Sequence, residues 1–418
     1  MGYNGEAENL NTPKCTLSEF FSDVEGKLAL LTGLIPYEDF GLTLEEVRRP
    51  LLVAGLPGIG KTFGIISSVK ELNSRLPAEK QLGFKKILLG QTVVGSLQGI
   101  PVARPDGTVV RIQIPDLPNP STDGEYGVLF LDEITTADEM QIQPALGLAD
   151  DSRCLGEYTL PEHWIVIAAG NGPSCTNFVR LDDMTLSRFA AYDIEYNWKK
   201  DFRPYCHASG INENIIAFLN FDPSSCVRVE SSDMDNAGKQ FPCPRTWERL
   251  SIELKMREAM GKPVSQDQLA NFAGRIVGTR AGREFQSFMA YKSSVNYSID
   301  KILDGTERDP EVGMKQEVYH IILQGLIKKM TDELKDYDDV PVEMYQRVGN
   351  MLSWLLKFVE LEKKINAVIE LRDDCPLIAE LMFDEDFSET CCPELDTFFD
   401  ENEALLKSSI AELNNLNF

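Results

Sequence analysis

The stretch LLVAGLPGIGKTFGII, which begins at Leu51, constrains this chain more than any other. Leu51 to Ala54 form a short apolar run, as a strand buried on both faces requires. Gly55, Gly58 and Gly60 then free the backbone to wrap around an anion with its N–H groups turned inward. Lys61 is placed to reach a β- and γ-phosphate, and Thr62 to set its hydroxyl on Mg²⁺. The pattern becomes helical from Thr62, so a helix N-terminus faces the same anion. Gly55, Gly60, Lys61 and Thr62 meet the pattern GxxxxGK[ST] in full. The loop as a whole (Gly55, Pro57, Gly58, Ile59, Gly60, Lys61, Thr62 and Phe63) is thus the expected seat of a nucleoside triphosphate. The bland alternative is a Gly-rich turn with an exposed lysine, and the strand before it and the helix after it argue against that.

A phosphate loop needs a metal-side carboxylate on a neighbouring strand, and GVLFLDEITTADEMQIQPAL supplies one. Val128 to Leu131 is apolar and ends in Asp132 and Glu133. Asp132 at the strand end would hold Mg²⁺ together with Thr62. Glu133, one residue further, would orient and polarise the attacking water. A third apolar run, in HWIVIAAGNGP, ends at Asn171. In open parallel sheets ligands bind at the carboxyl ends of strands, so Asn171 is a candidate for the γ-phosphate or the water. The alternative is an ordinary turn asparagine before Gly172 and Pro173.

Five parallel strands are expected: Leu51–Ala54, Ile87–Gly90, Val128–Asp132, Trp164–Ala169 and Ala191–Ile194. Helical patterns lie between them, giving an α/β fold with helices on both faces of the sheet. Asp106-Gly107 between VAR and TVV signals a hairpin flanked by Arg104 and Arg111. The expected organisation is an N-terminal extension (1–40), a large α/β domain (41–196), a helical lid (197–290) and a C-terminal helical domain (291–418). Segment 224–244 between lid helices reads as a loop, with or without a short strand. The last of these domains carries 13 basic and 28 acidic residues, a net of −15 out of −25 for the 418-residue chain. Its apolar residues fall at helical spacing, as at Val318, Ile322, Leu326 and Met330, and read as bundle core. The acidic stretch bearing Phe383, Phe387, Phe398 and Phe399 reads either as a solvated face or as a docking surface.

So acidic a chain argues against nucleic acid as the main ligand, because neutralising phosphates needs a basic surface. Nine scattered cysteines without a CxxC pair, and three separated histidines, argue against a structural zinc site and for free thiols in a reducing compartment. No run approaches a membrane span. The N-terminal residues lack an apolar secretory signal, and myristoylation is not supported. A cytoplasmic protein is expected.

The ordered set GLPGIGKT, VLFLDEI, DEMQIQPALGLAD, YTLPEHWIVIAAGN and LDDMTLSRF resembles the successive motifs of AAA+ ATPases, most closely the MoxR-type branch of the helix-2-insert clade. The likeness spans about Leu51 to Tyr196 and continues more weakly in PCPRTWERL. It implies ATP and Mg²⁺ as cofactors, a ring that is a hexamer, and remodelling of a protein client or partner, with a von Willebrand A-domain protein as the candidate. It also implies that Arg188 of the RF pair faces the neighbouring subunit's nucleotide as an arginine finger. Arg245 would touch the γ-phosphate in cis, and the hairpin would either project toward a central pore or be an ordinary surface hairpin. For Arg188 the alternatives are a salt bridge to Asp182 or Asp183, or that Arg180 is the finger; for Arg245, an ion pair with Glu248 or Glu253. Two other classes of activity stay open: a nucleic-acid-translocating motor, and a nucleotide-gated assembly scaffold with little turnover.

Overall fold

The computed structural model describes residues 13–92, 97, 99–112, 117–172, 181, 183–228, 240–291 and 296–402. The chain divides into two compact units, one of residues 1–201 with 229–238 and one of residues 202–228 with 239–418.

The described strands of the first unit are β1 (Lys14–Cys15), β2 (Leu51–Ala54), β3 (Leu82–Leu88), β4 (Ile100–Ala103), β5 (Val109–Ile112), β6 (Tyr126–Asp132), β7 (Cys154–Leu155), β8 (Tyr158–Thr159), β9 (His163–Gly170) and β10 (Ala190–Ile194). Six of them form one parallel sheet in the order β1-β10-β2-β9-β6-β3. Its centre is made by the most continuous apolar runs, since β2, β6 and β9 are buried along nearly their whole length. Trp164 fixes the packing beside them. A Cβ on Gly127 of the neighbouring strand would lie 2.6 Å from its ring, so only glycine fits there. Its indole N–H donates to the Gly124 carbonyl at 3.1 Å.

Two differences from the five-strand expectation have clear causes. The sheet has a sixth strand, β1, because Lys14 and Cys15 pair with Asp193 and Ile194. The 1–40 segment is therefore not merely an extension, as its described part begins inside the sheet. From there α1 (Leu17–Leu31) starts at a reciprocal cap between Thr16 and Glu19 and buries Phe20, Val24 and Leu28. The second difference is β3, which runs over Leu82–Leu88 rather than Ile87–Gly90; Leu89–Gln91 is a tight 3₁₀ turn. Lys85 and Lys86 interrupt the apolar pattern, and the sheet tolerates them because β3, which pairs with β6, is an edge strand among the described residues. The Asp106-Gly107 hairpin forms as expected, with β4 and β5 antiparallel and Gly107 at φ 84°.

The second unit is helical among its described residues. Its first part comprises α-helices Arg203–Ala208, Glu213–Phe221, Pro244–Ala259, Gln266–Val277 and Thr279–Ala290. Phe218 anchors them against Trp247, Phe285 and Phe288, with ring centroids 5.5–5.6 Å away. The helix Gln316–Leu334 packs along Glu213–Phe221 and buries Val318, Ile322, Leu326 and Met330. Phe387 and Phe398 belong to the core, whereas Phe383 is exposed and stacks on Phe399 at 5.3 Å. Segment 224–244 lies partly outside the described residues. No described helix is long and apolar enough to cross a membrane.

Candidate functional site

The phosphate loop joins β2 to α2 (Lys61–Arg75). Gly58 and Gly60 adopt φ 78° and 106°, left-handed values that favour glycine and turn the chain into the helix. Ile59 is buried and locks the loop from below, its side chain close to where a Cβ on Gly55 would sit. Pro57 is half-buried and Phe63 exposed. The Lys61 ammonium donates to the carbonyls of Gly55 and Leu56 at 2.8 and 2.9 Å, so the lysine is held over its own loop. Gly64 is a further requirement that the motif does not contain. The Phe21 ring of α1 rests on it so closely that a Cβ would lie 1.8 Å away. The GKTFG spelling could have signalled it, but nothing in the sequence pairs Gly64 with Phe21.

The acidic pair comes from β6, two strands away in the sheet. Thr62 Oγ1 donates to Asp132 Oδ2 at 3.1 Å, across 70 residues of chain. Asp132 Oδ1 accepts the Glu133 N–H at 2.9 Å. Glu133 itself has φ 61°, one of two described non-glycine residues with positive φ. The turn is tied by Thr136, whose N–H and hydroxyl both donate to the Glu133 carbonyl, at 3.0 and 2.9 Å.

Asn171 directly follows β9. Its N–H donates to the buried Thr135 hydroxyl at 2.7 Å, which ties this strand end to the turn after Glu133. A Cβ on the next residue, Gly172, would lie 3.8 Å from Gly55 Cα, so the strand end abuts the phosphate loop. The loop, Thr62, Asp132, Glu133 and Asn171 are thereby gathered at the carboxyl edge of β2, β6 and β9.

Two residues missed by sequence reasoning join them, both from β3 or its end. Lys86 Nζ lies 2.7 Å from Asp132 Oδ2. Gly90 stands against the acidic turn, where a Cβ would be 2.7 Å from Thr136 Oγ1 and 3.6 Å from Glu133 Oε2. Neither belongs to a motif; their signal is the pairing of β3 with β6.

Arg188 follows a short helix, α3 (Asp183–Leu186), and is half-buried just before β10. Its N–H donates to Thr185 at 3.3 Å, and that of Phe189 to Leu186 at 3.0 Å, which places the arginine at the helix end. The rival Arg180, and Asp182, lie outside the described residues. Arg245 belongs to the second unit, exposed near the start of helix Pro244–Ala259, with Arg249 exposed one turn on.

The oxygen donors fit a hard cation. A hydroxyl and a carboxylate oxygen 3.1 Å apart can serve one ion of the magnesium type, directly or through water.

No family model matches the chain, and no curated protein matches it. Among solved structures it is similar to a closed-state Hsp104 reconstruction with ATPγS and FITC casein, at 17% identity over 70% of this chain, with TM-score 0.31. The match spans half of the Hsp104 chain. A RuvB variant from Thermotoga maritima matches at 16% identity over 77% of this chain and 96% of its own, with TM-score 0.30. NtrX from Brucella abortus in complex with ATP matches at 13% identity over 76% of this chain and 69% of its own, with TM-score 0.34.

Proposed function

We propose that this chain is a Mg²⁺-dependent ATPase of the AAA+ class that works as a ring and remodels a protein client or partner. One observation carries the reading: Thr62, at the end of a complete phosphate-loop pattern, is hydrogen-bonded to Asp132, and Glu133 follows directly. Roles follow from chemistry. The loop N–H groups and Lys61 hold the phosphates. Thr62 and Asp132 hold the metal, which when bound neutralises phosphate charge. Glu133 orients and deprotonates the attacking water, and Asn171 fixes water or γ-phosphate from the adjoining strand end. By the sequence resemblance alone, Arg188 is the finger presented to a neighbouring subunit, and Arg245 reads the γ-phosphate in its own chain. The ring, its hexameric count, the MoxR-type likeness and a von Willebrand A-domain partner rest on the sequence resemblance. The acidic charge of −25 favours a protein client over nucleic acid.

The experiment is nucleotide binding and turnover of Lys61→Ala beside the unsubstituted chain. Loss of ATP binding in the variant, with hydrolysis by the parent only when Mg²⁺ is present, is the expected result. Tight ATP binding by Lys61→Ala would overturn the reading.

A further inference from the structure

Asp132 is held by more than the phosphate-loop helix. Its Oδ2 accepts from Thr62 at 3.1 Å and faces the Lys86 ammonium at 2.7 Å, and its Oδ1 accepts from the Glu133 N–H. Lys86 comes from the edge strand β3, where it pairs with Phe130, two residues before Asp132. Its ammonium also lies 6.0 Å from the Phe130 ring centroid, so the stem runs along the β6 surface toward the carboxylate. The neighbouring Lys85 is engaged separately, with Asp123 at 3.1 Å. The carboxylate oxygen proposed to serve the metal is thus already engaged by the Lys86 ammonium.

We propose that Lys86 is a positioning residue that holds Asp132 and competes with the metal for it, so that Lys86 sets the Mg²⁺ level at which the site loads nucleotide. This rests on the ATPase reading above. The Lys86 ammonium beside this carboxylate would oppose a divalent ion bound there, so Lys86 would share the oxygen with the ion or turn away from it. Lys86 is about a third exposed, so it has solvent to swing into. With solvent screening at that exposure, the repulsion corresponds to about a five-fold weakening of the metal's hold.

The test is the affinity of a fluorescent ATP analogue, measured with Mg²⁺ and with a chelator, for the unsubstituted chain, Lys86→Met, Lys86→Gln and Lys86→Arg. Both neutral variants are expected to raise the ratio of the two affinities about five-fold, and Lys86→Arg to keep the parent's ratio. A parent that binds the analogue in a Mg²⁺-dependent way, with neutral variants whose ratio is unchanged, would overturn the role of Lys86 and leave the ATPase reading standing. A parent that binds no nucleotide would overturn the ATPase reading itself. A merely structural lysine would lower the melting temperature of the neutral variants without moving the ratio, and that outcome also counts against the proposal.

Discussion

Glu133 sits at φ 61°, ψ 33°, a conformation that costs a non-glycine residue on the order of 1 kcal/mol. The surrounding turn holds it there through the two bonds from Thr136 and the bond to Asp132. Under the proposed role a carboxylate is needed at that position, and that role would account for the strain. Two variants separate the backbone from the chemistry. Glu133→Gln is expected to keep the melting temperature and ATP binding while turnover falls about 100-fold or more. Glu133→Gly is expected to lose turnover as well but to melt no lower than the parent, because glycine adopts this φ without strain. A glycine variant that melts several degrees lower would show that the side chain, not the turn, stabilises this corner. Gly90 gives the converse case. An added methyl would press on Thr136, whose hydroxyl holds the Glu133 carbonyl, so Gly90→Ala is expected to lower kcat several-fold with little change in nucleotide affinity. Unchanged kcat would mean that the acidic turn shifts freely. Lys61, Thr62 and Asp132 were legible because the spacing of glycines, lysine and hydroxyl is local, and because an apolar run ending in acids is local too. Lys86 and Gly90 were not, because their closeness to the acidic pair exists only once Lys86 is registered against Phe130 and Leu88 against Asp132.

Among the elements, the helix Arg203–Ala208 is fastened to the end of helix Leu361–Asp374 by a buried ion pair. Arg203 and Asp374 are 2% and 3% exposed, with a closest approach of 2.6 Å. His207 Nε2 lies 3.1 Å from the other Asp374 oxygen. Nearby, buried Glu370 of the same helix accepts from Asn220 at 3.2 Å and Gln324 at 2.9 Å, linking it to helices Glu213–Phe221 and Gln316–Leu334. Removing one partner of a buried pair strands the other, so Asp374→Asn is expected to cost about 3–5 kcal/mol in chemical denaturation. A loss under about 1 kcal/mol would show that Arg203 finds other acceptors. The acid response has a defined sign. Burial alone would push the Asp374 carboxyl up, but His207 and Arg203 outweigh it and hold the carboxyl below its ordinary range. Stability from this group is therefore fully present above the unfolded carboxylate range of about 4. It is lost as pH falls through the lowered folded value, so the gap between parent and Asp374→Asn should narrow in acid. An unchanged gap down to about pH 2 would contradict this. The sequence foretold the long buried elements best, since β6, β9 and helix Gln316–Leu334 carry unbroken or helically spaced apolar runs. It missed β1 because two residues cannot display a period, and it misplaced β3 because an edge strand can carry lysines. The Arg203–Asp374 pair spans 171 residues, and no local pattern encodes such a partner.

At the scale of the whole molecule, the proposed ring makes a prediction that no single subunit can meet alone. An arginine finger completes the site of a neighbour, so hydrolysis in a ring depends on two different chains at each interface. Arg188→Ala is expected to bind ATP like the parent and to lose turnover by about 10³ or more. Lys61→Ala is expected to bind none and to be inactive for that reason. In a homogeneous ring of either variant every interface is broken. In a mixed ring, an Arg188→Ala subunit keeps a working phosphate loop, and a Lys61→Ala neighbour on the correct side supplies an intact Arg188. Such an interface is whole, so mixing two inactive proteins should restore part of the parent's turnover. For random assembly at equal amounts, about a quarter of the interfaces have that arrangement by the probability of two independent choices, and recovery should peak near equal proportions. Turnover measured across the mixing series, with light scattering to establish that rings form and subunit exchange followed by a fluorescent label, decides the matter. Recovery shows that Arg188 acts on a neighbour. Exchanging rings that stay inactive at every ratio would mean that Arg188 serves its own subunit, and the interface account of this site would fall.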